Sequence, residues 1–402
     1  MVLMAVASLV VIAIIGLSVD IGSLFHLYET MQTAADSAAV AGAKGLQASG
    51  NATAAADQDA SLNGFTNGSA GVTITVNNPP ASGEYEGNNN YVQVQISQPE
   101  PTYFLSLLGI SSLTISTEAA ATMGSAPGCI YSLDPNDSGS LGLVTISGGA
   151  TVKTGCGIIV DSGSSSAISV SGGGSIQAAS VGIVGNYSTS GGGSISPTPV
   201  TGMVAADDPL DYLQPPTVGT CTAGTTNVSV SGGKTAVLSQ GTYCGGISVS
   251  GGSKVTLNSG TYILEGGGLQ VSGSSSISGS GVTFYNTQGG GYSYSPINIS
   301  GGGTINLSAP TSGALAGILI FEDPSIAKGS SGATLSGGSS ASFTGAIYLP
   351  HGSVSFSGGT SGSAPYTIIV ADDITFSGSA NLGTNYSSLT DGSPIKAAVL
   401  SE

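Results

Sequence analysis

Neighbouring acidic residues are the part of this sequence whose types and spacing could support catalysis. Hydrolysis of a glycosidic bond needs two carboxylates held a fixed distance apart. Candidates lie in three short segments: Asp207, Asp208 and Asp211; Glu322 and Asp323; Asp372 and Asp373. A polysaccharide lyase would also need a basic residue to stabilise an enolate, and the sequence contains no arginine. Because acids in loops commonly hydrogen-bond turns, we interpret these residues as loop acids and predict that the chain is not an enzyme.

Metal and cofactor sites have equally weak support. The acids could hold Ca²⁺, but no Asp-x-Asp-x-Asp-Gly run and no GGxGxD repeat is present. His351, between Pro350 and Gly352, has no Ser or Cys nucleophile motif around it and is interpreted as a turn residue. No P-loop, GxSxG or dinucleotide fingerprint occurs. We therefore predict no catalytic residue, no metal and no cofactor.

The four cysteines, Cys129, Cys156, Cys221 and Cys244, indicate disulfides in an exported chain. Three pairings are possible. Cys129–Cys156 and Cys221–Cys244 are favoured, because each pair spans about one length of the repeat described below. A zinc site is the alternative, but no CxxC is present and the only histidines are His26 and His351.

The charge balance restricts the partners. The formal net charge is -16, with six basic residues, all of them lysine. Binding to phosphate needs Lys and Arg for neutralisation, so nucleic acid is a poor candidate partner. Docking on anionic lipid is disfavoured for the same reason.

The N-terminus is an uncharged apolar segment, residues 1–19, that continues as a helical pattern to about residue 50. Three interpretations are open. A signal peptide would have a basic n-region and a cleavage site. A transmembrane anchor needs about 20 apolar residues but also flanking basic residues, and the first one is Lys44. The third interpretation, a pilin-type helix whose basic leader has been removed, is favoured.

Beyond Asp20 the helix keeps one apolar face, which is rich in alanine and glycine between residues 31 and 43. Small residues let helices approach closely, which suits a bundle or a filament core; alternatively, alanine only supplies helix propensity. The predicted assembly helix comprises Met1, Val2, Leu3, Val10, Val11, Ile12, Ile14, Ile15, Leu17, Asp20, Gly22, Leu24, Met31, Gln32, Ala35, Asp36, Ala38, Ala39 and Gly42.

A small α+β unit is predicted for residues 51–124. Residues 72–76, 91–96 and 113–122 alternate like strands, and residues 102–108 are typical of a short helix. Together with the long helix of residues 1–50, this is the outline of a pilin-like domain: an apolar N-terminal helix and a small antiparallel sheet.

A repeat fills residues 125–385. Short alternating strands end in Ser-Gly-Gly, as in VTISGG at 144–149 and VSVSGG at 228–233, and recur at intervals of mostly about 19 to 28 residues, with two longer gaps. Period-two alternation with this recurrence predicts an all-β parallel β-helix or solenoid. A β-propeller ranks second, because its repeats are near 40 residues. Residues 386–402 are predicted to be a C-terminal tail or cap.

The segment VDIGSLFHLYETMQTAADSAAVAGA, residues 19–43, resembles the N-terminal signature of TadE/TadG-like Flp (tight adherence) pilus-assembly proteins. There an apolar helix leads through Asp-x-Gly to Leu/Met-Gln-x-Ala-Ala-Asp-x-Ala-Ala. The matching residues are Asp20, Gly22, Met31, Gln32, Ala34, Ala35, Asp36, Ala38 and Ala39. Similarity continues through residues 63–83 and 98–116 and into the repeat. Two features depart from pilins: no basic leader precedes the helix, and Ala5 stands where type IV pilins place a glutamate.

The resemblance implies a bacterial cell-envelope protein of the Tad pilus system. The leading hypothesis is an extracellular structural subunit that sits in the inner membrane before assembly. It would then polymerise with other copies, and with other pilus proteins, into a surface filament that displays the β-helix outward. The alternatives are a TadG-like envelope-anchored assembly factor, or a minor pilin or adhesin tip binding an unknown glycan through Tyr292, Tyr294 and Tyr348. A polysaccharide-active enzyme ranks last.

Overall fold

The computed structural model describes residues 2–135, 144–300, 302–329, 331–336, 341–357 and 364–401, without the side chains of residues 2–10, 12, 13, 49 and 331. The chain divides into two compact units. The first comprises Met1–Gly124 and Lys396–Glu402, and the second comprises Ser125–Ile395. The C-terminal segment therefore belongs with the N-terminal one.

The first unit packs a long helix and a short helix on an antiparallel sheet. Its elements up to residue 125 are α1 Val2–Ser49, α2 Ala52–Leu62, β1 Thr73–Asn77, β2 Tyr91–Pro101, the 3₁₀ helix Leu105–Leu108 and β3 Ser112–Ser125. The Asn51 side chain caps α2 by accepting the backbone N–H of Ala54 at 3.1 Å. The core is made of alanines from both helices and branched residues from β2. Gly42 permits this approach, because a Cβ there would lie 2.9 Å from Val92 Cγ1.

The second unit consists of short strands. In the described residues they are β4 Gly128–Ser132, β5 Val144–Ile146, β6 Thr151–Thr154, β7 Gly157–Val160, β8 Ile168–Val170, β9 Ser175–Gln177, β10 Ser180–Ile183, β11 Tyr187–Thr189, β12 Ser194–Ser196, β13 Thr226–Val230, β14 Thr235–Leu238, β15 Gly241–Val249, β16 Lys254–Leu257, β17 Gly260–Glu265, β18 Leu269–Val271, β19 Ser276–Ser280, β20 Val282–Thr287, β21 Ile297–Ile299, β22 Ile305–Ser308, β23 Ile318–Glu322, β24 Ser331–Ser336, β25 Ser342–Ser357, β26 Thr367–Phe376 and β27 Ala380–Leu382.

These strands form coils of three, and each coil pairs in parallel with the next. For example, β17, β18 and β19 pair with β20, β21 and β22, respectively. Alternate side chains point into a continuous apolar core. Glycine is required at the Ser-Gly-Gly corners: Gly251 has φ +63°, and a Cβ on it would lie 3.1 Å from the backbone nitrogen of Gly232 in the coil below.

The coils do not stack in chain order. The chain first builds the coils β4–β6, β7–β9 and β10–β12. Residues 197–225 contain no named strand, and the chain then starts again at β13 and adds coils up to β26 and β27. This last coil pairs in parallel with the first one: β26 with β4 and β5, and β27 with β6. We call these pairings the seam.

After the seam the chain returns to the first unit. Strand β28, Lys396–Ser401, takes its place next to β3 in a sheet of order β1-β2-β3-β28. The second unit is thus an insertion between two neighbouring strands of one sheet. Its two ends lie together, since the backbone N–H of Ala126 donates to the carbonyl oxygen of Ile395 at 3.3 Å.

The predicted long N-terminal helix with a small antiparallel sheet, and the predicted strand-rich domain after it, are confirmed. The short helix predicted at residues 102–108 is restricted to the 3₁₀ helix Leu105–Leu108. Residues 396–401, placed by sequence in a tail or cap, form an edge strand. The predicted Ser-Gly-Gly corners at residues 337–338 and 358–359 lie outside the described residues.

Candidate assembly surface

The most extensive exposed apolar surface that we find in the first unit runs along α1. Eight large apolar side chains of the described helix are each exposed by 43% to 60%. They are Val11, Ile14, Ile15, Leu17, Val19, Ile21, Phe25 and Tyr28, and we call them the apolar ridge. Over the residues that the structure describes, none of the helices combines the length and apolarity needed to span a membrane. Exposed apolar area of this extent marks an interaction surface.

Asp20 fixes a loop to the same helix. Its side chain is fully buried. One carboxylate oxygen accepts the backbone N–H of Tyr103 at 2.9 Å, and the other accepts those of Phe104 at 2.8 Å and Leu105 at 2.7 Å. These are the N–H groups that open the 3₁₀ helix and have no partner within it. A helix side chain thus caps a loop that is more than 80 residues away in sequence.

The carboxyl of Asp20 is ionised in this setting. Burial alone would raise its pKa, but the three N–H donors, from Leu105, Tyr103 and Phe104, together lower the pKa below the usual value of 3.8. Hydrogen bonds of N–H groups to a charged acceptor are stronger than those to a neutral one. Asp20 therefore holds the loop most firmly in its ionised form.

Gly16, one helical turn before Asp20, supplies the space for the loop. A Cβ on Gly16 would lie 2.2 Å from Cδ1 of Phe104, a distance that no real contact allows. The aromatic ring can therefore rest on the helix only because residue 16 is glycine. Gly16 and Asp20 lie on one face of α1, and this face is covered by the loop.

The loop brings further apolar side chains to the surface. Leu107 and Leu108 are exposed by 82% and 80%, and Tyr103 by 66%. Ile110 and Leu113, which follow, are also exposed. We call the apolar ridge together with these five side chains the assembly surface.

Family comparisons cover this part of the chain. The model for Flp pilus-assembly TadE/G-like proteins matches residues 1–48, and the model for Tad-like Flp pilus-assembly proteins matches residues 27–121. Residues 1–121 are therefore similar to TadE/TadG-like Flp pilus-assembly proteins, as the signature at residues 19–43 predicted. No curated protein and no solved structure matches the chain. The family supports a role in Flp pilus assembly at the cell envelope.

The alanine-rich part of the Tad signature is packed inside this chain. Ala35, Ala38 and Ala39 are fully buried in the core formed with α2 and the sheet, together with Met31 and Gly42. We predicted these residues to serve helix packing in an assembly, whereas here their neighbours belong to the same chain. Small side chains let the helix lie close to its own sheet.

One polar residue of the Tad signature, Gln32, ties α1 to the sheet, and a second, Asp36, accepts a hydrogen bond from it. The Gln32 amide nitrogen donates to the Asp36 carboxylate at 2.7 Å and to the backbone oxygen of Glu118 in β3 at 3.1 Å. Gly22 is exposed, with nothing within 4 Å of a Cβ placed there, and no contact in the structure explains it. Leu24 is half-buried.

The remaining predicted helix residues fall into two groups. Val11, Ile14, Ile15 and Leu17 belong to the exposed apolar ridge. The side chains of Met1, Val2, Leu3, Val10 and Ile12 lie outside the described part of the chain. Their role in assembly stays a prediction.

The acids of the second unit are engaged in contacts within the unit. Lys328 Nζ lies 2.7 Å from an Asp134 carboxylate oxygen and 3.1 Å from one of Asp372. Asp208 accepts the hydroxyl of Tyr348 at 2.7 Å and the N–H of Leu210 at 2.8 Å. These contacts tie coils and connecting segments together, which is the role expected of loop acids.

Burial raises the pKa of four carboxyls in the unit: Asp161, Asp208, Asp372 and Asp373. Desolvation is the main cause of the raised pKa of Asp208, about 6, and of Asp373, also about 6, where Asp372 and Asp134 add repulsion. The Tyr294 hydroxyl donates to Glu322 at 2.6 Å. A raised carboxyl pKa can serve acid catalysis, but for Asp208 and Asp373 burial is the largest cause of the shift.

Tyr348 does not suit the adhesin hypothesis. Its side chain is only 3% exposed, and its ring stacks on Phe321 with the centroids 5.5 Å apart. A ring packed inside the unit has no free face for a sugar. Tyr292 and Tyr294 are half-buried.

The predicted disulfides are both present. Cys129 pairs with Cys156 and Cys221 with Cys244, with Cα–Cα distances of 5.7 and 5.9 Å. The first bond joins neighbouring coils, and the second anchors the end of segment 197–225 to β15. Glu265 lies near the second bond, forming with it the one candidate group of metal ligands among the described residues. Zinc binds thiolates, and both sulfurs here are bonded to each other.

Sequence reasoning missed the role of Gly16 and the loop amides that bind the Asp20 carboxylate. Asp20 was selected as part of the signature, with no indication that residues 103–105 are its partners. A lone acid four residues after a glycine, at the end of an uncharged helix, is the signal that could have been used. It indicates a contact that compensates the charge.

Proposed function

We propose that this chain is a structural, non-enzymatic subunit of an Flp pilus that polymerises with other copies through the assembly surface. The second unit then stays outside the helical core and is displayed on the filament. The observation that carries this proposal is the extended apolar surface on a Tad-family helix. Burying one large apolar side chain stabilises an assembly by about 1.5–3 kcal/mol, so this surface offers a strong driving force.

The distribution of the exposed side chains favours several neighbours over one. Ile14 and Ile15 follow each other in α1 and therefore point about 100° apart, yet both are more than half exposed. A single partner helix would cover one narrow stripe. A filament core, in which each helix has neighbours on several sides, would cover both.

Residence in the inner membrane before assembly is part of the proposal. It is supported by the sequence alone: residues 1–19 carry no charge, and 19 helical residues span about 28 Å. This length is close to the roughly 30 Å of a bilayer hydrocarbon core. The part of the assembly surface that lies in this segment, from Val11 to Val19, would then exchange lipid for neighbouring helices.

Lysine substitutions at two equally exposed leucines, one inside the assembly surface and one outside it, test the proposal. Leu108 in the loop and Leu62 in α2 are each 80% exposed, so neither Leu108→Lys nor Leu62→Lys disturbs a core. We expect the producing cells to shed fibres with the wild type and with Leu62→Lys. Fibres should be strongly reduced with Leu108→Lys, because a charge would be buried between helices. Sheared material is examined by negative-stain microscopy, and protein in the membrane is measured by fractionation.

Two results would contradict the proposal. Normal fibres with Leu108→Lys, at equal protein level, would show that this part of the surface remains in water. Membrane-resident wild-type protein without fibres would instead favour the envelope-anchored assembly factor.

A further inference from the structure

The coil stack of the second unit ends in two open edges. Along the stack, each coil lies above the one that precedes it in the chain, and the coil that begins at β4 lies above the seam. In this direction β13 and β14 belong to the bottom coil, and β11 and β12 belong to the top coil. Among the described strands, β11 and β12 pair only with the coil below, and β13 and β14 only with the coil above. We call β11 and β12 the upper edge and β13 and β14 the lower edge.

Both edges leave core positions uncovered. Tyr187 and Ile195 of the upper edge point inward but are only half-buried, whereas Ile168 and Ile176, one coil below, are at most 1% exposed. Val228 and Leu238 of the lower edge are half-buried in the same way. Solenoids normally end in a coil with a polar outer face, and neither end of this stack has one.

The two edges match each other in layout. Each presents the second and third strands of a coil. At the first-strand position each end already carries a segment of its own chain: at the upper end Val200 forms a parallel bridge to Gly182, and at the lower end Thr225 accepts the N–H of Cys244. In a row these two segments would lie in the same layer, so pairing of β11 with β13 and of β12 with β14 requires one of them to move aside. All coil-to-coil pairings are parallel, so the upper edge of one copy and the lower edge of another have the correct polarity to pair.

The corner glycines of the two edges have the backbone conformation that stacked coils have inside the unit. A Cβ on Gly191 would meet the backbone nitrogen of Gly172 below it at 3.2 Å, and one on Gly251 would meet Gly232 at 3.1 Å. Gly232 keeps this backbone conformation, with φ +71°, although nothing lies within 4 Å of its Cβ position. The lower edge thus has a corner shaped to rest on another coil.

Charge does not oppose such a contact. In a chain of net charge -16, residues 186–200 of the upper edge contain no charged side chain, and residues 222–241 of the lower edge contain only Lys234. The acids that would repel a second copy lie elsewhere.

The seam demonstrates that coils distant in sequence can join in this way. Ile369 lies opposite Ile130 and Ile374 opposite Val144, across more than 200 residues of chain. Pairing between coils therefore does not depend on their being consecutive.

We propose that the upper edge of one copy pairs in parallel with the lower edge of a second copy of this chain. The existing ladder sets the register: Tyr187 opposite Val228, Ser188 opposite Ser229 and Thr189 opposite Val230. The contact is head-to-tail and joins different patches, so it propagates into linear rows of subunits. It is separate from the contact between helices proposed above.

Cysteine cross-linking of the full-length chain in detergent tests this register. All four native cysteines are in disulfides, so an introduced cysteine is the free thiol. Ser188→Cys and Ser229→Cys, both at exposed positions, are purified separately, mixed and treated with a short bismaleimide. A matched control uses Ser169→Cys and Ser248→Cys, the outward serines of interior coils in β8 and β15.

We expect a covalent 188–229 dimer in yield at least several-fold above the 188–188, 229–229 and control products. Adding Ile195→Lys to the Ser188→Cys variant should abolish it, because the lysine reaches water in the free chain but would be buried in the row. An unchanged melting temperature shows that this variant is folded. Equal yields for all pairs, or no 188–229 product, would overturn the inference. Fibres that form without this product would leave the helix-based proposal standing and reject this one.

Discussion

Replacing Asp208 by asparagine should make the protein more stable at neutral pH. Asp208 lies in segment 197–225, where it accepts hydrogen bonds from the Tyr348 hydroxyl and the Leu210 N–H. An asparagine can keep both contacts, with its oxygen accepting from Leu210 and its nitrogen donating to the tyrosine oxygen. The substitution removes the charge and reverses the direction of the hydrogen bond with Tyr348.

The magnitude follows from the pKa. Burial raises the pKa of Asp208 from 3.8 to about 6. Two pKa units correspond to about 3 kcal/mol. Because the pKa is raised in the folded state, the contribution of this group to stability is complete below about pH 4, falls as the pH rises through 6, and stays lost above it. Asp208→Asn should therefore gain up to about 3 kcal/mol over the wild type at pH 7.5 and almost nothing at pH 4.

Urea unfolding, followed by circular dichroism between pH 4 and pH 8, measures this difference. Asp373, with its pKa also raised to about 6, titrates in both proteins, so its contribution cancels in the difference between their free energies of unfolding. Asp207→Asn is the matched control, because it removes the same charge from an exposed neighbour and should shift the profile much less. The reasoning is refuted if Asp208→Asn is less stable than the wild type at pH 7.5, or if all three profiles run parallel.

Three further changes test the loop and the disulfides. Gly16→Ala should push the aromatic ring off α1 and speed chymotrypsin cleavage in the loop, whereas Gly22→Ala, with open space at its Cβ, should leave the cleavage rate unchanged. Asp20→Asn should speed hydrogen exchange of the three bonded loop amides; in the wild type their protection should hold above the usual carboxyl pKa and be lost only as the pH falls through the lowered value. Removing the Cys221–Cys244 bond by a double serine substitution should lower the free energy of unfolding by about 3 kcal/mol in the loop-entropy model, measured by urea unfolding against the wild type; an unchanged midpoint would refute that estimate.

Local patterns predicted the elements well. The apolar and alanine periodicity placed a helix over residues 1–50, and the structure has α1 at Val2–Ser49. Repeat spacing selected both disulfide pairs, because cysteines about one repeat apart lie in neighbouring coils. In each case the information is contained in residues close to each other in the chain or in its period.

Contacts between distant segments were not predicted. Asp20 and its loop are joined by hydrogen bonds that no local pattern encodes. The order of the coils is hidden for another reason: the Ser-Gly-Gly template is nearly the same in every coil, so the pattern fits any stacking order. The repeat therefore predicts that coils form, but not the order in which they stack.

The order of the coils solves a geometric problem that the insertion creates. One row of the ladder runs through ten coils, from Val228 to Tyr187. Nine steps of about 4.8 Å separate the two ends by roughly 43 Å. A stack built in chain order would begin and finish at opposite ends, whereas β3 and β28 are neighbours in one sheet. Because the chain enters and leaves the stack at the seam, its two ends meet inside the stack and not at either of its edges.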